Sequence, residues 1–207
     1  KASFMHVAKV LYIGLSRSGT TSLNHVLSEL GLKSVHFCGF LLSDLPNWEK
    51  CGEFDALGDS PIPSLYKELD RRFPGSKFIL TIREKESWLK SMEWMFDQGK
   101  MIFNWNERIH EYHEHFYGTR SYNEDILSMH WENYHRDVFK YFSDRPNDLL
   151  TIKLEDGFIV DEICSFLDLP YSEIPNVKMN TKRKAKLRSY LKYNAKSALR
   201  RLLQFIR

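Results

Sequence analysis

The chain has 207 residues, 43% hydrophobic and 14% aromatic, enough for one domain with a substantial core and too apolar for intrinsic disorder. No apolar run approaches the roughly 18 residues of a membrane span, and the three scattered cysteines, Cys38, Cys51 and Cys164, lack metal-ligand spacing and favour free thiols in a reducing, cytoplasmic setting. The net charge of +3 hides an asymmetry: no acidic residue follows Glu173 but eleven Lys or Arg do, so residues 1–173 carry a formal charge of −8.

In chain order, Val7 to Leu15 reads as a buried strand. Leu23, Val26, Leu27 and Leu30 recur at helical spacing before a stop at Gly31. Lys33 to Phe37 suggests a short strand, and Asp44 to Gly58 a loop or short helix. Leu65, Tyr66, Leu69 and Phe73 mark a helix ended by Pro74-Gly75, and "KFILTI" (Lys77 to Ile82) is the clearest strand. Glu84 to Asp97 reads as a helix, Gly99 to Thr119 resists assignment, and Asn123 to Phe142 predicts a long helix. Leu149 to Leu154 then reads as a strand and Phe158 to Leu167 as a helix. Alternating strands and helices imply a parallel sheet covered on both faces, with ligands beyond the carboxyl ends of its strands.

Three turns leave strands there: after Leu15, near Asp59 and after Ile82. The first, within "YIGLSRSGTTSLNHVL" (Tyr12 to Leu27), has the G-x-x-x-x-G spacing of a phosphate-holding loop between Gly14 and Gly19. Glycines let backbone approach an anion, and the helix that follows offers N–H donors and a positive dipole end. Thr20, Thr21 and Ser22 add hydroxyls, and Arg17 adds charge. Thr20, however, stands where a nucleoside triphosphatase carries lysine against the transferring phosphoryl group. Sulfuryl transfer asks for less, because the moving group bears less negative charge, and donors on the leaving phosphate suffice without a metal.

"SRSGTTS" (Ser16 to Ser22) resembles the 5′-phosphosulfate loop of sulfotransferases that use 3′-phosphoadenosine-5′-phosphosulfate (PAPS), in their small bacterial-type branch. "FILTIREKESWLKSM" (Phe78 to Met92) resembles the second nucleotide motif, with Arg83 at the strand end and Ser91 eight residues on, although Glu84-Lys85 replace the usual Asp-Pro or Asn. "GDSPIPSLYKEL" (Gly58 to Leu69) falls where the family places a polar residue before a proline and a helix. "EDGFIVDEICSFLDLPYSEIPNVKMNT" (Glu155 to Thr181) resembles the distal part, with Asp168 in place of a glycine and Asn180 displaced.

The resemblance covers residues 8 to 181 and implies a three-layer α/β/α fold around a mostly parallel sheet, the P-loop-like sulfotransferase fold. It implies a sulfotransferase domain over 1–181, with PAPS as sulfuryl donor, no required metal and 3′,5′-phosphoadenosine as product. Ser16, Arg17, Ser18, Gly19, Thr20, Thr21 and Ser22 would hold the 5′-phosphosulfate, with Arg17 also stabilising the leaving phosphate. Arg83 and Ser91 would hold the 3′-phosphate, with Lys182, Arg183 and Lys184 closing over it. Asp59 or His36 would deprotonate a hydroxyl or amine of the acceptor, a carbohydrate, lipid or small natural product. A small-molecule kinase and a non-catalytic nucleotide-binding scaffold are the alternatives.

Two features stand apart. "HEYHEHF" gathers His110, His113 and His115, with His130 and His135 beyond. No cysteine or acidic partner has ligand spacing, so a substrate-facing segment from Met101 to Tyr122 is the better reading than a metal site. Residues 182–207 read as a basic amphipathic helix carrying Leu187, Leu191, Ala198 and Leu202. Its charge complements the acidic body, on which it is expected to pack; peripheral membrane contact is the alternative, and nucleic acid is not expected as a partner.

Overall fold

The computed structural model of the chain describes residues 8–158 and 160–170. Val7, Asn180, Lys182, Arg183, Lys184 and the basic stretch 182–207 lie outside the described residues.

Five strands, β1 (Val10–Tyr12), β2 (Ser34–His36), β3 (Ala56–Gly58), β4 (Lys77–Ile82) and β5 (Leu149–Lys153), form one sheet in the order β2-β3-β1-β4-β5. Every pairing is parallel. Residues along β1 alternate between two cores, as the pleat requires. Val10 and Tyr12 pack with Leu23, Val26 and Leu27 of α1 (Thr20–Glu29). Leu11 and the following Ile13 pack on the opposite face. There they meet Tyr66 of α2 (Ile62–Arg72) and Trp88 of α3 (Lys85–Trp94). Both faces of β1 are therefore apolar and covered, giving three layers, α/β/α.

The chain winds outward from β1 to β2, returns to β3, then crosses β1 to reach β4 and β5. The winding reverses around β1, so the crevice beyond its carboxyl end is where this architecture opens a ligand site. The expected strand at Lys77–Ile82 and helix at Asn123–Phe142 correspond to β4 and α6 (Glu124–Tyr141), the latter capped by the Asn123 side chain accepting from Ile126 N.

Three segments depart from expectation. Asp44 to Gly58 contains a 3-10 turn (Glu49–Glu53) and then β3, too short to show alternation and held by pairing on both sides. The helix expected to run to Asp97 leaves α geometry after Trp94, passing through a π-helical turn (Met95–Gly99) into α4 (Lys100–Ile102). The unassigned region holds α5 (Glu107–Tyr117), opened by the Asn106 side chain accepting from Ile109 N and closed at Gly118. Among the described residues, the last helix is α7 (Val160–Phe166).

Candidate active site

The turn after β1 is shaped by two backbone demands. At Gly14 a Cβ would lie 1.8 Å from Thr81 Oγ1, so any larger residue would push β4 away. Gly19 has φ +97, in the left-handed region that glycine occupies without steric cost. Arg17 adopts φ +73 and Asp59 φ +56, both rare for residues with a Cβ and both on the same cavity. Side chains from distant helices fix the turn: Trp88 Nε1 donates to Ser16 O at 2.9 Å, and Ser16 N donates to Tyr117 Oη at 3.1 Å. Tyr134 of α6 donates to Ile13 O at 2.6 Å.

Among the described residues no side chain caps α1, and Gly19, Thr20 and Thr21 at its start line a cavity of about 670 Å³. The amides that open a helix and its dipole favour an anion there. Ser16, Arg17 and Ser22 line the same cavity. Ser18 does not; its hydroxyl turns inward to Leu15 O at 2.6 Å and Thr81 Oγ1 at 2.9 Å, anchoring the turn to β4.

β4 delivers Arg83 to the cavity beside Arg17. Burial lowers the pKa of the Arg17 guanidinium, and the nearby Arg83 lowers it further, against the pull of Asp59. Burial also depresses Arg83, against Glu155 and Glu84. Two partly desolvated cations thus share one space, an arrangement an anion between them relieves. Arg83 Nε donates to Ser87 Oγ at 2.9 Å, and Nη1 to Arg17 O at 3.3 Å. Ser91, expected to share a phosphate with Arg83, instead lies buried beneath Arg17, accepting from its Nε at 3.0 Å. Ser87, one helical turn after Arg83, is the serine of α3 that lines the cavity. Glu84, where the family pattern differs, accepts from Glu86 N and Ser87 N and caps α3. The Arg17 guanidinium lies 4.9 Å from the Trp94 ring centroid.

The ends of β2 and β3 bring His36 and Asp59 together, with His36 Nε2 3.1 Å from Asp59 Oδ2. The same nitrogen lies 3.2 Å from Thr20 Oγ1 and 3.1 Å from Thr21 Oγ1. Ser16 Oγ donates to Asp59 Oδ1 at 3.3 Å. This carboxylate and imidazole therefore join the turn after β1 directly.

Phe37, Met95, Phe103, Trp105, Ile109 and His113 also line the cavity, the last four within the segment from Met101 to Tyr122 read as substrate-facing, together with Ser60, Leu154 and Glu155. His113 is 3% exposed, its ring centroid 4.2 Å from that of Trp105, and burial lowers its pKa to about 4. Among the described residues no group of His, Cys, Asp or Glu is arranged to hold a metal ion, and no helix is long and apolar enough to cross a membrane.

With this geometry established, comparison with known proteins assigns the class. A family model of the sulfotransferase domain matches residues 9–53 and 46–185. The chain belongs to that family, and with it to the transferases. Ava biosynthesis cluster protein M of Aspergillus versicolor is 27% identical over 204 residues, covering 80% of this chain and 78% of its own. The crystal structure of a sulfotransferase from Alicyclobacillus acidocaldarius gives a TM-score of 0.54 at 16% identity, over 88% of this chain and 90% of that one, a likeness of fold.

Proposed function

We propose that the protein moves a sulfuryl group from PAPS to a hydroxyl of a small-molecule acceptor. The observation that carries this reading is the pair of guanidiniums, Arg17 from the turn after β1 and Arg83 from the end of β4, on one cavity with a hydroxyl-rich helix start. The donor set fits a nucleotide with anionic groups at two positions: backbone amides, hydroxyls and two cations, with Glu155 and Asp59 at the flanks. When bound, PAPS supplies a sulfuryl group already activated as a mixed anhydride with phosphate.

Arg17, Thr20, Thr21 and Ser22 hold the 5′ end and favour charge on the departing phosphate. Arg83, steadied by Ser87, holds the 3′-phosphate, while Ser91 acts through Arg17 by fixing its Nε. Asp59 is the better proton acceptor of the two candidates. His36 Nε2 already faces Thr20, Thr21 and Asp59, whereas each Asp59 carboxylate oxygen has two lone pairs, of which its contact with Ser16 or His36 takes one. His36 then steadies the carboxylate through its second oxygen. The name of the fungal relative, a biosynthesis cluster protein, favours a small-molecule acceptor.

Calorimetric titration with 3′,5′-phosphoadenosine, AMP and Mg-ATP tests the donor. The bisphosphate should bind at least about tenfold more tightly than AMP, the equivalent of one charge-assisted contact. Preference for Mg-ATP would overturn this reading in favour of a kinase.

A further inference from the structure

Arg17 is a partly buried cation without a counter-ion in contact. Its guanidinium stands beside Arg83, and Asp59 pulls on it only from beyond ion-pair distance, its carboxylate being engaged by Ser16 and His36. The Arg17 side chain instead reaches α3, where Ser91 Oγ accepts from Nε at 3.0 Å and the guanidinium lies 4.9 Å from the Trp94 ring centroid. Ser91 and Trp94 stand three positions apart and so share one face of the helix. The two Nη groups make no hydrogen bond among the described residues, which leaves them to the cavity that Arg17 lines.

Trp94 is itself 7% exposed, and its Nε1 has no hydrogen-bond partner among the described residues. A buried indole usually pairs that N–H, and stranding it costs stability. Leucine or phenylalanine would occupy the place without this cost, so what tryptophan brings here is its ring face. That face attracts a cation through the quadrupole of its π system, most strongly where both are desolvated. A carboxylate in its place would hold the guanidinium harder but would neutralise it, in competition with any phosphate. Directly after Trp94 the helix passes into the π-helical turn Met95–Gly99, a distortion frequent at functional sites, and Met95 lines the cavity.

We infer that Trp94 is a positioning residue for the donor: its indole face orients the Arg17 guanidinium toward the 5′ end of the nucleotide while keeping the full charge available to the phosphate there. This inference rests on the donor reading above. The hydrogen bond to Ser91 fixes one nitrogen and leaves the guanidinium able to swing about it; a ring against the group removes that freedom before the ligand arrives. Ordering the cation in advance lowers the entropy lost on binding. The benefit therefore falls on ligands with a 5′-phosphate and passes wholly through Arg17.

The test is a double-mutant cycle of Trp94→Leu, Arg17→Gln and the two combined, titrated by calorimetry with 3′,5′-phosphoadenosine, AMP and adenosine 3′-monophosphate. Trp94→Leu should weaken the two ligands that carry a 5′-phosphate about 3- to 30-fold. The 3′-monophosphate should lose less than about twofold, and so should every ligand when Trp94→Leu is added to Arg17→Gln. Trp94→Phe keeps a smaller ring face and should fall between; it carries the cycle if the leucine variant does not fold. Additive losses would overturn the inference by making Trp94 a nucleotide contact in its own right. Equal losses for all three nucleotides would overturn it by reducing Trp94 to packing. If the native protein binds none of the three, the donor reading falls; the same cycle titrated with inorganic pyrophosphate then decides the positioning role, and additive losses or no binding there overturn it.

Discussion

Replacing Arg83 with alanine separates a nucleotide-binding arginine from one that merely trims a helix start. The side chain leaves β4 with Nε committed to Ser87 Oγ and Nη1 to Arg17 O, so its remaining N–H groups serve the cavity. A charge-assisted contact to a phosphate is worth about 1.5–3 kcal/mol. Its loss should raise the Kd for 3′,5′-phosphoadenosine about 10- to 150-fold. AMP lacks the 3′-phosphate, and its Kd should move by less than about threefold, within the scatter of neutral surface changes. Arg83→Lys keeps the charge but not the planar fork and should fall between the two. Calorimetry at constant ionic strength reads all four combinations, because salt screens these contacts. Equal losses for the two nucleotides, or no loss for either, would refute the assignment of Arg83 to the 3′-phosphate.

Further outcomes follow from other parts of the structure. Asp59→Asn should cut turnover of a hydroxyl acceptor by about 10²–10⁴-fold, the usual worth of a positioned base, with nucleotide affinity nearly unchanged; full turnover in a steady-state assay removes Asp59 from that role. Gly14→Ala places a methyl group against Thr81 and should cost about 3 kcal/mol, lowering Tm by about 6–12 °C in a chain of this size; the double variant with Thr81→Ala should recover part of this. Burial lowers the pKa of both His113 and His130 to about 4 from 6.5. Between those values the unfolded chain binds protons that the folded one does not, so stability is full above pH 6.5 and declines as the pH falls toward 4. Each histidine contributes about 3 kcal/mol to that decline, and His113→Phe should flatten the Tm–pH profile in this window, whereas an unchanged slope contradicts the buried, neutral imidazole.

The parts of this architecture legible in the sequence are those governed by local pattern. KFILTI is a long apolar run and forms β4; Asn123 before a periodic stretch caps α6. The glycine turn and Arg83 were recognisable because each follows a legible strand, and Asp59 because it precedes a proline and a helix; all carry the residue types an anion or a proton requires. β3 escaped because three residues stabilised by neighbours on both sides leave no periodicity of their own. α5 escaped because its buried face is Tyr112, His113 and Tyr117, which read as polar or aromatic scatter, although Asn106 and Gly118 mark its ends. Ser87 was passed over in favour of Ser91, yet its position four residues after Arg83, one turn into a helix, was available as a signal. The contacts of Trp88, Tyr117 and Tyr134 with the turn span 72, 101 and 121 positions of chain, a separation that no single-sequence pattern encodes.

The hydroxyl of Tyr117 has a bearing on how such an enzyme diversifies. It ties α5, whose Ile109 and His113 line the cavity, to the backbone of Ser16 in the turn after β1. On the proposed function, reshaping that helix to admit another acceptor therefore tugs on the turn assigned to the donor. Mutational drift, or a directed-evolution library, has more latitude at the half-exposed Phe37 and Phe103. At position 117 the same freedom would be charged against that turn, so the tyrosine stands as a fixed anchor.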